Sequence, residues 1–128
     1  MLDDAHYRLL AIEPIAVHRK HNLNYTAYAF LKYLTRYKHK GGLRDLKQAR
    51  DFCINETLKE RVTGLKQAAI CDGLDNTIMN YCIDNTIEGD RRFALVAYFK
   101  GIQSINNQLI SNAYFFLDRY IKDLELRD

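Results

Sequence analysis

The sequence predicts an all-α protein, a compact bundle of five or six helices. Three observations carry that expectation. Apolar residues recur at the three- and four-residue spacing of a helix face in nearly every segment. Alternating β-branched runs are scarce, and the 128 residues include one proline. The six glycines fall mostly between periodic segments, where they stop helices. With 48% hydrophobic residues the chain can build a core, and its length suits a single domain spanning residues 1–128.

Each element follows from local chemistry. Pro14 suits a first helical turn, so a helix is expected from Pro14 to about His21. Asn22 or Asn24 can cap the next, which runs to about Lys38 with Leu23, Ala27, Phe30, Leu31 and Leu34 inward. Lys38, His39 and Lys40 suit its C-terminal dipole, and Gly41-Gly42 ends it. A third helix is expected from about Leu43 to Val62, with Leu46, Ala49, Cys53 and Thr57 on one stripe and Leu43, Arg50, Ile54 and Leu58 on its flank. Gly64 breaks the pattern.

Residues 65–87 read as helix, interrupted near Asp72-Gly73, with Leu74, Ile78 and Cys82 and then Met79, Ile83 and Ile87 as interior rows. Gly89-Asp90 offers a turn and a cap. The run from Phe93 to Phe99 is apolar all round, which predicts burial between neighbours or across a subunit interface. The last helix, about 107–126, carries Ile110, Ala113, Tyr114, Leu117, Tyr120, Ile121 and Leu124 on one stripe, with Asp118, Arg119, Lys122 and Asp123 outside it.

Composition excludes several function classes. No apolar run approaches the roughly 18 residues that span a bilayer, and the first residues carry Asp3 and Asp4 where a secretory signal would be apolar. A soluble intracellular protein with no membrane partner is expected. Cys53, Cys71 and Cys82 lack metal-ligand spacing and read as buried free thiols. Phosphate-loop, dinucleotide-fingerprint, zinc-protease and serine-elbow motifs are all missing. Glu56 and Glu60 share a helix face, but Lys59 and Arg61 flank them, so a solvated face is expected and no metal site.

Charge is the informative quantity. The net of +3 divides into +5 over residues 1–61, with 12 Lys/Arg against 7 Asp/Glu, and −2 over residues 62–128, with 7 against 9. Between Pro14 and Arg44 there are seven Lys/Arg and no acid. Tyr28, Lys32, Arg36 and His39 fall on one helix face with Thr35 beside them, and Lys40 and Arg44 follow its end. A tyrosine ring beside cations can stack on a base while Arg grips phosphate oxygens. An outer face with cations for solubility is the simpler alternative. Nucleic acid is the less favoured anionic partner, because no recognition motif and no strong basic bias is present.

Six fragments in register surround that helix: His6-Tyr7, Ile12-Glu13-Pro14-Ile15, Leu23-Asn24-Tyr25, Leu31-Lys32-Tyr33-Leu34-Thr35-Arg36, Lys38-His39-Lys40 and Asp45-Leu46-Lys47-Gln48-Ala49. Together they resemble the SaV-like family of small bacteriophage proteins over about residues 4–58. The resemblance implies a phage-encoded protein in the cytoplasm of an infected bacterial host. Some members of that family are described as nucleotide kinases acting on deoxynucleoside monophosphates, and others are associated with sensitivity to host abortive infection. Where that family's pattern carries Gly-Asn shortly before its Lys-Tyr pair, this chain has Tyr28-Ala29 before Lys32-Tyr33.

The function expected is therefore binding of a nucleotide or related phosphorylated ligand. The ligand residues implied are His6, Tyr7, Lys32, Tyr33, Arg36 and Lys40, supported by Glu13, Asp45 and Lys47. No cofactor is called for, except magnesium if the protein is a kinase, for which Glu13 and Asp45 are the candidate bases. The alternative is an anti-defence or host-takeover factor that contacts a host defence protein or sequesters a nucleotide signal without catalysis. Residues 62–128 have no recognised counterpart and read as an added helical half for assembly. A homo-oligomer is expected from the apolar run and the nine tyrosines.

Overall fold

The computed structural model describes residues 13–38, 41–55, 73–104 and 106–127. These residues form six α-helices and no strand: α1 Pro14–His21, α2 Tyr25–Arg36, α3 Gly42–Asn55, α4 Leu74–Asp84, α5 Gly89–Ser104 and α6 Asn107–Arg127. The all-α bundle read from the sequence is what forms. Its core is one cluster drawing on every helix, from Val17 on α1 to Ile121 on α6.

Helix α5 is the most deeply placed. Ala94, Leu95, Ala97, Tyr98, Phe99 and Ile102 are buried, with Phe30 of α2 stacked on Tyr98 at 4.0 Å. The apolar run is thus largely consumed inside the chain, and Phe93 is its one strongly exposed member, at 51%. Helix α6 lies along α5 and also packs on α3. Gly101 permits this approach, because a Cβ there would stand 2.7 Å from Ile110 Cδ1. Ion pairs staple the outside: Arg50 to Asp118 at 3.0 Å joins α3 to α6, and Arg119 grips Asp90 at 2.6 and 3.0 Å.

Helix ends match their chemistry. Pro14 opens α1, and Asn22 closes it in the left-handed conformation, φ 51. Asn24 caps α2, its side chain accepting from the Ala27 N–H at 2.8 Å. Helix α2 ends at Arg36, two residues short of the expected Lys38. The expected extension of α3 to Val62, Thr57 and Leu58, the Glu56 and Glu60 pair, Cys71 and the helix before Gly73 all lie outside the described residues.

Helix α4 departs from expectation. It stops at Asp84, because Thr86 turns left-handed at φ 57 and the chain closes with Ile87 N–H on Cys82 O at 2.8 Å and Thr86 N–H on Ile83 O at 3.2 Å. This is a Schellman closure, with Ile87 buried beneath it. The inward face holds Leu74, Ile78, Tyr81 and Cys82, which leaves Met79 and Ile83 exposed, the latter at 53%. Ile54 on α3 is also exposed. Burial pushes the Cys82 thiol up to about 11, so it stays protonated and unreactive.

Three buried polar groups bind α2 and α1 to the second half of the chain. Arg91 of α5 donates to Leu34 O at 2.8 Å, a carbonyl in the last turn of α2, and its guanidinium lies 5.1 Å from the centre of the Tyr37 ring. Thr35 donates to Leu31 O and shares a 2.6 Å hydrogen bond with the Tyr81 hydroxyl. His21, buried, bonds Thr77 through Nε2 at 2.8 Å. The sequence placed Thr35 beside the basic face, whereas it faces inward. Burial, then the Tyr120 hydroxyl bonded to it, raise the Tyr37 phenol above its ordinary range.

Two outcomes follow for stability. Arg91→Met leaves the Leu34 carbonyl buried without its donor and lowers stability by about 1–3 kcal/mol in urea unfolding; an unchanged midpoint would contradict the role given to Arg91. Burial, then the neighbouring Lys20, hold the His21 imidazole below its ordinary 6.5. The unfolded chain then binds the extra proton more readily, so the contribution of His21 to stability is level above pH 6.5 and falls as pH drops below it. Urea midpoints at pH 5 and pH 7.5 should differ less in His21→Gln than in the unaltered protein.

Candidate functional site

Helix α2 is amphipathic, and its two faces do different work. Ala27, Phe30, Leu31 and Leu34 sink into the core. Tyr25, Tyr28, Ala29, Lys32, Tyr33 and Arg36 form the opposite stripe and line a groove of about 200 Å³. Their spacing, three or four residues at a time, puts all six on one side of the helix. Ala29 is the small floor residue between tyrosines.

The rings in the groove are already organised. Tyr28 stacks on His18 of α1, ring centres 4.6 Å apart and planes at 12°, and Lys32 Nζ lies 5.2 Å from its centroid. Tyr33 stacks on Phe52 of α3 at 5.9 Å, with the Arg36 guanidinium 5.1 Å from its centroid. Among the described residues each of these rings has a neighbour ring and a cation beside it. Tyr25, 79% exposed, is the open aromatic of the groove. Tyr28, expected as a stacking platform, has His18 packed against its ring, whereas Tyr25 keeps most of its surface exposed.

Arg36 is held from behind. Its Nε donates to Asp45 Oδ2 at 2.9 Å, and the Asp45 side chain is only 7% exposed. Asp45 stands in the first turn of α3, where the helix dipole favours an anion. Gly41 makes room for it. A Cβ on Gly41 would meet the Asp45 carboxyl carbon at 2.2 Å, and its φ of +80 already favours glycine. The Gly41-Gly42 turn thus folds α3 back so that its first carboxylate reaches the last residue of α2.

Of the residues implied by sequence, Lys32, Tyr33 and Arg36 meet in the groove, and Asp45 stands behind Arg36. Lys47 pairs with Glu125 of α6 at 3.4 Å and does not line the groove. Glu13 is the residue before α1, half-buried, and is also absent from the lining. His6, Tyr7, His39 and Lys40 lie outside the described residues. Sequence reasoning missed Tyr25 and Ala29 as lining and His18 as the stacking partner. The first two were legible in the 25, 28/29, 32/33, 36 spacing, whereas His18 comes from another helix.

A second groove of about 280 Å³ lies between α1 and α4, lined by Ala16, Val17, Lys20, Thr77, Asn80 and Asp84. It is larger, but Lys20 and Asp84 carry opposite charges there, so an anion gains less. No group of three or more His, Cys, Asp or Glu is placed to hold a metal among the described residues. No helix among them is long and apolar enough to cross a membrane.

A family model described as a protein of unknown function (DUF3310) matches residues 3–53. The match takes in α1, α2 and most of α3, and so the whole groove lining, together with His18, Gly41, Asp45 and Phe52. Comparison with curated proteins gives no match, and neither does comparison with solved structures.

The turn that orients Arg36 is open to a direct test. Asp45→Ala lowers stability by about 1–3 kcal/mol in urea unfolding, because the Arg36 Nε–H, on a side chain only 16% exposed, loses the carboxylate it donates to. Gly41→Ala destabilises as well, by strain and by displacing the same carboxylate. The double variant should lose less than the sum of the two, since both act on one contact; strict additivity would separate Gly41 from the ion pair.

Proposed function

We propose that the α2 groove binds a nucleotide or related phosphorylated ligand. One observation carries this reading. Lys32 stands in an aromatic-walled groove with no carboxylate partner among the described residues, beside an arginine oriented by Asp45. Such a cation has no carboxylate among the described residues to give up when an anion arrives, so more of the attraction is kept. Tyr25 offers a face for a base, and Arg36 offers charge-assisted donors for phosphate oxygens. The excess of positive charge between Pro14 and Arg44 adds a longer-range attraction.

The SaV-like resemblance supports a phage-encoded protein working in the cytoplasm of an infected host. It also raises nucleotide kinase activity, with His6 and Tyr7 closing over the ligand and Lys40 assisting. A kinase would need magnesium and a base. Among the described residues no three-ligand group stands ready for the ion, and Asp45 is already paired with Arg36. Binding that sequesters the ligand asks less of these residues than turnover does.

A second reading has its own observation. Phe93 on α5 and Phe115 on α6 are 51% and 65% exposed. These two rings favour contact with a protein, either a host defence factor or a second copy in a homo-oligomer. Light scattering separates the copy from the host factor.

Calorimetry with mono- and dinucleotides tests the leading reading. The unaltered protein binds, Lys32→Ala loses about tenfold or more in affinity, and Lys47→Ala, on the α6 side, binds as before. Absence of any heat with every nucleotide would remove the proposal.

A further inference from the structure

Helix α1 is short, and a buried titratable side chain pins its C-terminal end. We propose that α1 is a proton-operated wall of the α2 groove: protonation of His21 releases α1 from α4 and carries His18 away from the Tyr28 ring. This regulates the groove assigned above to a phosphorylated ligand, but it concerns the wall alone and needs no ligand to be tested.

Eight residues are too few for a helix to hold in water by itself, so α1 depends on what it packs against. Its buried residues are Pro14, Val17 and His21, and it packs on α2 and α4. His21 is 1% exposed. Its Nε2 lies 2.8 Å from Thr77 Oγ1 on α4, and its Nδ1 is buried with no hydrogen-bond partner among the described residues. A neutral imidazole carries one N–H, which can sit at Nε2 on Thr77 and leave only a lone pair bare at Nδ1. The imidazolium carries two. Its Nδ1–H then has no acceptor in a place closed to water, and the charge itself is buried.

The charges around His21 do not offset that cost. Lys20 stands beside it, and burial followed by Lys20 hold the imidazole below its ordinary 6.5. Elsewhere on α1, Arg19 is exposed and Glu13 stands at the far end. On α4, Asp84 lines the same groove as Thr77 and Asp75 lies in the first turn, both at exposed positions. Helix α2 brings the Tyr28 ring to His18 and no acid in its first turn. The open form therefore takes up the proton near 6.5 and the closed form only at lower pH. Closure is complete above pH 6.5 and weakens as pH falls below it.

His18 couples this seam to the groove. It stands three residues before His21 on the same two-turn helix, with its ring stacked 4.6 Å from that of Tyr28. When α1 leaves α4, that stack goes with it, and Tyr28 shows its covered face in the groove it lines with Tyr25 and Lys32.

The test is amide hydrogen exchange on the full chain at pH 7.5 and pH 5, corrected for the intrinsic rate and repeated in low urea. The amides from His18 to Asn22 are expected to exchange by a local opening, insensitive to urea and less protected than α5, with protection falling about tenfold at pH 5. His21→Gln, which keeps an amide for Thr77 and takes up no proton, loses that pH dependence, whereas His18→Gln keeps it. Tyr28→Ala raises α1 exchange at both pH values. Equal α1 protection at the two pH values overturns the proposal, as does a pH dependence that survives in His21→Gln. Exchange of α1 only together with α5, with the same urea sensitivity, overturns it in favour of global unfolding. An unchanged α1 in Tyr28→Ala overturns the link to the groove. NMR titration of the imidazoles in the unaltered protein needs no variant: a His21 midpoint below 6.5 supports the proposal, and one at or above 6.5 overturns it. No nucleotide enters any of these readouts, so binding in the groove is judged separately.

Discussion

Arg91 is the constraint on which the rest of the structure turns. It is a cation buried on the most deeply placed helix, and its donor ends on the Leu34 carbonyl in the last turn of α2. A helix end buried without such a partner is costly, so this one bond fixes where α2 stops against α5. The same guanidinium faces the Tyr37 ring, whose hydroxyl bonds Tyr120 of α6. Three helices are therefore registered through one side chain. With Thr35 on Tyr81 and His21 on Thr77, the inner sides of α1 and α2 are tied down by polar contacts as well as by packing.

Fixing the inner side of α2 determines what its outer side can do. The groove stripe cannot rotate, so Lys32 and Arg36 stay half-buried along the groove while Phe30 and Leu34 stay covered. The turn at Gly41-Gly42 adds a second level of control by bringing the Asp45 carboxylate to Arg36. Asp45 thus orients a cation, a role different from the base that a catalytic reading would give it. The electrostatic character of the groove is local, since Arg50, Arg119 and Lys122 are matched by Asp118 and Asp90 across α3, α5 and α6.

Much of this was legible in the sequence because it is local. Pro14 and Asn24 mark helix starts, Gly41-Gly42 a stop, and the 3.6-residue period the buried faces of α2 and α6. The failures have physical causes. Residues 85–87 read as helix by periodicity, and nothing local announces that Thr86 turns left-handed to close α4. Met79 and Ile83 read as interior because a row of apolar residues does not say which row faces the bundle. Tyr81 decides that, through a hydroxyl partner 46 residues away. In the groove, the cations and Tyr33 could be picked from pattern and resemblance. The pairing of His18 with Tyr28, and of Arg36 with Asp45, needed the helices to be folded together.

The reach of Arg91 bears on how the N-terminal segment can travel between proteins. The family match ends at residue 53, yet the Leu34 carbonyl takes its buried donor from Arg91 beyond it, and the Thr35 hydroxyl, which donates to Leu31 O, is joined there by Tyr81. The segment is therefore not self-sufficient in hydrogen bonding. On a different C-terminal part the same α2 end, buried in the same way, would need another buried donor for that carbonyl, whereas the Thr35 hydroxyl keeps Leu31 O as its acceptor. The Leu34 carbonyl is thus the point where the first half of this chain depends chemically on the second.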